Sequence, residues 1–174
     1  MIQGRQLKPS TATLQDDAER FIIKAMELLH DPATRGAWSQ LLATYPNDPV
    51  RSLAEAIVVL LTKMDAAARD TGIEVNDTAK LYGVAELSPQ LYEIGEKTKA
   101  MKLTPDEQQL ALGSAIQKYI EIEAKANRID LKRLHAETQK SMASVDPKRR
   151  AEINASMQKM AATGKAYSAR RGIK

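Results

Sequence analysis

Apolar positions recur at intervals of three and four residues along nearly the whole chain, and nowhere alternate with period two over the length of a strand. The pattern therefore predicts an all-α protein with essentially no sheet. A first stripe of Leu14, Ala18, Phe21, Ile22, Ala25, Leu28 and Leu29 predicts a helix from about Thr13, with Asp16 three residues on as its capping partner. A second helix, about 32–45, carries Trp38, Leu41, Leu42 and Tyr45, and the YPNDP stretch then forces a turn. The third, about 49–71, has the most continuous stripe: Val50, Leu53, Ala54, Ile57, Leu60, Leu61, Met64 and Ala68, with Gly72 placed to end it. Val58 and Val59 widen its apolar surface and predict burial on more than one side.

The fourth pattern, about 77–101, runs through Leu81, Val84, Leu87, Leu91, Ile94 and Met101. Ser88-Pro89 interrupts it, which predicts a strong kink or a stop and restart. TPDE at 104–107 reads as a capping box opening a fifth helix with Leu110, Leu112, Ile116, Tyr119, Ile120 and Ala124. Three Asp-Pro pairs, at 31–32, 48–49 and 146–147, read as helix starts. Aspartate accepts from orphan N–H groups, and proline at the first helical position sacrifices no bond.

After Asn127 the stripes narrow. A sixth helix, about 131–144, offers Leu131, Leu134, Met142 and then Val145. A seventh, about 147–162, offers Ile153, Met157, Met160 and Ala161, with Gly164 expected to end it and leave a ten-residue tail. So few apolar groups, at ~25 cal/mol per Å2, do not offset ordering costs of ~1–2 kcal/mol per residue. The organisation expected is a flexible N-terminal arm (1–11), a helical bundle body (12–127) and a basic helical extension and tail (128–174) that leans on the body or on a partner.

Composition fits this architecture. Of 174 residues only 4% are aromatic and none is cysteine, so aliphatics and methionine fill the interior, and neither a disulfide framework nor a thiolate metal site is available. The opening MIQGRQLKPS has no apolar segment of the kind a secretory signal needs. The longest strongly apolar run, residues 56–61, is far shorter than the ~20 residues of a membrane span.

Charge changes the picture more. Residues 1–124 carry 13 Lys and Arg against 18 Asp and Glu, a net of −5; residues 125–174 carry 13 against 4, a net of +9. An acidic body thus bears a basic last quarter, which points to an anionic partner. Lys148, Arg149 and Arg150 fall in the first turn of the seventh helix, where the helix dipole is itself positive; an anion docking there would meet free N–H groups as well as side chains. With Lys159, Lys165, Arg170, Arg171 and Lys174 they form the candidate site for nucleic acid or an acidic partner. Three readings stay open: contact with the phosphate backbone of DNA or RNA, docking on an acidic protein surface, or a merely solvated charge run. Sequence-specific reading is disfavoured, because Tyr167 is the lone aromatic of residues 125–174.

Candidate chemistry is sparse. His30 and His135 are far apart and lack metal-site neighbours. No phosphate-binding glycine loop and no nucleophile elbow occurs. Carboxylate neighbours such as Asp16/Asp17, Asp106/Glu107 and Glu121/Glu123 have the spacing of helix starts and solvated faces. The expectation is a non-enzymatic protein with no cofactor and no metal.

Residues about 18–131 combine a first amphipathic helix with LLHDPATR, DPVRSLAEAIVVLLTKMDAAARDTGIEV, LYEIGE and TPDEQQLALGSAIQKYIEIEAKANRID. In style and order these elements resemble small α-helical virion proteins of short-tailed bacteriophages. The resemblance covers roughly two thirds of the chain and stops short of the basic quarter. It implies a structural component of a phage particle, either an internal protein expelled with the genome or a head-to-tail fitting. Expected partners are other virion or assembly proteins, in several copies or as a homo-oligomer, with non-specific DNA contact as an adjunct. The expected location is the virion, after synthesis in the host cytoplasm. The alternative is a small cytoplasmic nucleic-acid-binding accessory or regulatory protein.

Overall fold

A computed structural model describes the backbone of residues 8–9 and 14–172. Seven helices are present among the described residues: α1 (Leu14–His30), α2 (Pro32–Leu42), α3 (Pro49–Thr71), α4 (Asp77–Lys97), α5 (Pro105–Lys125), α6 (Leu131–Ser144) and α7 (Pro147–Arg171). The protein is all-α, as its periodicity predicts. The one extended pairing, β1 (Lys8–Pro9) beside β2 (Ile73–Glu74), is parallel and two residues long. The expected cap at Thr13 and nearly all of the N-terminal arm lie outside the described residues.

The core forms around α3, which packs against α5, α2 and α4, while α1 packs chiefly on α4. Leu53, Ala56, Ile57, Leu60 and Leu61 of α3 are fully enclosed, and Val58 is buried on a second face, as the doubled stripe requires. Local chemistry sets the boundaries. Asp31 and Asp48 accept from the Ala33 and Arg51 N–H groups at 2.9 and 3.1 Å, and Thr104 and Glu107 close the capping box that opens α5. Gly72 ends α3 with φ +74, a left-handed conformation that glycine adopts without side-chain cost. Gly83 lets α1 and α4 close: a Cβ there would lie 2.6 Å from the Phe21 ring.

Three expectations need correction. Of the two forms expected at Ser88-Pro89, a strong kink or a stop and restart, the second is overturned, because α4 runs through the pair without interruption. Proline deprives the Ala85 carbonyl of its helical donor, and the Ser88 hydroxyl donates to that carbonyl at 3.3 Å instead. The helix also ends at Lys97 rather than near 101; Met101 reaches the core from the following loop, its side chain lying over Gly95. Finally, Gly164 does not end α7. The helix continues to Arg171 and stops at Gly172, φ +62, so the expected ten-residue tail is mostly helix. Gly164 serves packing, since a Cβ there would sit 3.2 Å from Leu110 Cδ1 on α5.

Candidate interaction surface

Two groups of charged residues meet in the body, and both are internal. The Lys80 ammonium bridges Asp65 Oδ1 at 2.9 Å and Asp77 Oδ1 at 2.8 Å, while the Tyr119 phenol donates to Asp65 Oδ2. One turn on, Glu123 receives both arms of the Arg128 guanidinium at 2.7 Å, with Arg69 at 3.8 Å. Asp65, Lys80, Tyr119 and Glu123 are all buried. Burial pulls the Lys80 pKa down, but the Asp65 and Asp77 carboxylates outweigh it and leave the ammonium above its ordinary value. Burial, then Asp65, pushes the Tyr119 phenol well up. The Arg128 hydrogen bonds hold Glu123 below the usual carboxylate range, against desolvation.

No buried side-chain nitrogen or oxygen among the described residues lacks a hydrogen-bond partner. This network is thus saturated by its own members, tying α3, α4 and α5 together with the root of the extension. Among the described residues no group of His, Asp or Glu has the arrangement of a metal site, and no helix is long and apolar enough to cross a membrane. An open groove of about 710 Å3 between α1 and the C-terminal half of α3 has Phe21, Leu28 and Met64 in its lining and Arg20, Lys24 and Asp70 beside them. That mixed lining selects no particular occupant.

The extension is more informative. Among described residues 125–172 only Ile129 and Tyr167 are buried. Tyr167 is the anchor: its hydroxyl donates to Asp48 Oδ1 at 2.7 Å and accepts from the Val50 N–H at 3.4 Å, joining α7 to the N-terminus of α3. Around it Lys159 pairs with Asp106 at 2.8 Å and Arg170 with Glu107 at 3.2 Å, both acids in the first turn of α5. Gly113 and Gly164 allow the close approach of Met160 and Leu110.

The eight expected site residues therefore separate. Lys159 and Arg170 are turned onto the protein's own acids, which corrects the expectation that they face outside company. Arg150 is also engaged, donating to the carbonyls of Ala143 and Val145 at 3.1 Å each. It neutralises the carbonyl end of α6, so the misplaced charge at the start of α7 has a local cause. The expected anion pocket there is closed too, because Asp146 Oδ1 already accepts from the Lys148 and Arg149 N–H groups at 3.0 and 3.2 Å. The side chains of Lys148, Arg149 and Lys165 are exposed. The side chain of Arg171, all of Lys174 and the side chain of Met142 lie outside what is described.

What remains outward is a pair of successive helices, α6 and the first half of α7, which pack little on each other. Helix α6 makes only marginal contact with the other elements. Lys132 and Lys140 on α6 and Lys148 and Arg149 on α7 are exposed and form no ion pair among the described residues, and Leu131 and Met157 are more than half exposed. Composition alone groups all thirteen cations of the last quarter. A finer signal was present: Lys148, Lys159 and Arg170 recur every eleven residues, three helical turns, and so share one stripe. Its two C-terminal members meet acids of α5, while Lys148 is the member left exposed. Neither a family model, nor a curated protein, nor a solved structure matches the chain.

Proposed function

We infer that the protein is a non-catalytic structural subunit of a multi-copy assembly, and that the assembly is a bacteriophage particle. The observation that carries the first part is the outlying pair of helices, α6 and the first half of α7. The described side chains of α6 and the start of α7 include none that is buried and few that are half-buried, Leu134 among them, and they present Leu131 and Met157 beside four cations that form no ion pair among the described residues. Such a surface is completed by a neighbour, because isolated helices of this length are marginal in water. The phage setting rests on the resemblance of residues 18–131 to small virion proteins of short-tailed phages.

The test is sedimentation of the full chain over a wide concentration range, beside a variant with Lys132, Lys140, Lys148 and Arg149 all changed to Ala. Self-association that the variant loses supports the reading; a wild-type chain that stays monomeric throughout opposes it.

The same four cations favour a second reading, binding to nucleic acid by phosphate contact. Four neutralised phosphates give log K against log salt a slope of about −3.6. Duplex DNA binding with that slope, lost in the same variant, is its signature; a flat salt response removes it.

A further inference from the structure

We propose that the α7 docking site on the body, built from Asp48 and Val50 of α3 and Asp106, Glu107 and Leu110 of α5, also receives α7 of a second copy of this chain. This rests on the multi-copy reading above and names the surface and the partner. The docked segment of α7, Lys159 to Arg170, is fixed by the Tyr167 hydroxyl on Asp48 and by two ion pairs. The two members of the Lys159–Asp106 pair are 68% and 46% exposed, so water already reaches both.

The second element is the tether. Between the end of α5 at Lys125 and the docked segment lie α6 and the first half of α7, and α6 makes only marginal contact with any other element. The Glu123–Arg128 bridge, buried Ile129 and the partly buried Leu134 fix the root of this tether, and among the described residues of 135–158 no side-chain hydrogen bond or ion pair to the body fixes which body its far end reaches. Third, the surfaces are complementary in charge: acids at 48, 106 and 107 receive a hydroxyl, an ammonium and a guanidinium. A docking in trans makes the same contacts as a docking in cis, so concentration decides between them. Exchange by two chains closes a symmetric dimer; exchange passed on from chain to chain gives a ring or an open array.

The absence of cysteine makes the test clean, since only introduced thiols react. Asp106→Cys and Lys159→Cys chains, both altered at exposed positions, are unfolded, mixed, refolded together and treated with a short bis-maleimide. A chain carrying both substitutions shows by its internal cross-link that the reagent spans the site. A mixture of Lys24→Cys with Lys159→Cys chains gives the collisional background. With an effective concentration of ~1 mM for the tethered α7, refolding at ~0.1 mM places about a tenth of α7 in trans, a share that rises with concentration. The expected result is a 106–159 heterodimer above background, growing with concentration and abolished by Tyr167→Ala in both chains.

An efficient internal cross-link in the double variant with a mixture no better than background at any concentration overturns the proposal. If the chain nevertheless self-associates through α6 and the start of α7, exchange has failed and the assembly reading stands. If neither occurs, both have failed.

Discussion

Tyr167 is the point at which the extension is fastened, and Tyr167→Ala shows how much it holds. A buried tyrosine removes ~200 Å2 from water, which at ~25 cal/mol per Å2 is an upper bound of about 5 kcal/mol. Truncating a buried aromatic typically costs ~3–5 kcal/mol. The rest of the docking is weak. Lys159 with Asp106, and Arg170 over the mostly covered Glu107, form pairs whose cations stand in water, each worth ~0–1 kcal/mol, and Met160 is only partly buried. A loss of ~3 kcal/mol thus removes most of what binds α7, while the body keeps its own core. Amide exchange followed by mass spectrometry reads this directly. Peptides from 159–171 exchange about 150-fold faster in the variant, and peptides from 50–65 stay as protected as before. Tyr167→Phe keeps the ring and loses the hydroxyl bonds, costing ~1 kcal/mol and about fivefold. Unchanged protection of α7 in Tyr167→Ala refutes the reasoning, and so does an equal loss of protection across the whole body.

Three further outcomes follow from the same physics. Gly83→Ala drives a methyl to within 2.6 Å of Phe21 and costs ~1–3 kcal/mol as α1 and α4 are pushed apart, read from the urea midpoint. Lys80→Met strips Asp65 and Asp77 of their shared cation; leaving a buried carboxylate underpaired costs ~3–5 kcal/mol in the same assay, where an exposed change such as Lys97→Met costs almost nothing. Lys80 and Tyr119 both keep their protons to higher pH in the folded chain than at the ordinary values of 10.5 and 10.0. Their contribution is intact below those values, and stability falls as pH rises above about 10, where the unfolded chain releases protons first; urea unfolding at pH 8 and at several more alkaline values tracks the decline, which is shallower in Tyr119→Phe.

The fold was legible because local signals and long-range packing agree. The Asp-Pro starts, the capping box at Thr104 and Glu107, and Gly72 each act within one turn, so sequence alone places α2, α3 and α5 closely. Pro89 does not break α4, and the neighbouring Ser88 hydroxyl takes up the carbonyl it frees, a compensation that depends on rotamer rather than composition. Gly164 misleads because glycine serves two ends, helix termination and close packing, and only the presence of Leu110 opposite selects the second. The basic quarter was visible as charge, yet not as geometry. Which cations meet Asp106, Glu107 or the carbonyls of α6 is decided by contacts up to 63 residues apart. The buried network of Asp65, Lys80, Tyr119 and Glu123 has no sequence signature, since each member sits in a helix among ordinary solvated charges.

The last quarter of the chain divides, with α7 fastened to the body from Lys159 to Arg170 and the helices before it left outward for a partner. Limited trypsin digestion of the isolated chain tests both halves at once, because cleavable residues lie on either side of the division. The first cuts are expected after Lys132, Arg133, Lys140, Lys148 and Arg149, with those after Lys159, Lys165 and Arg170 following more slowly, as α7 undocks. Early cuts after Lys159, Lys165 and Arg170 at the rate seen after Lys148 contradict this division, as does an α6 that resists cleavage as long as α3 does.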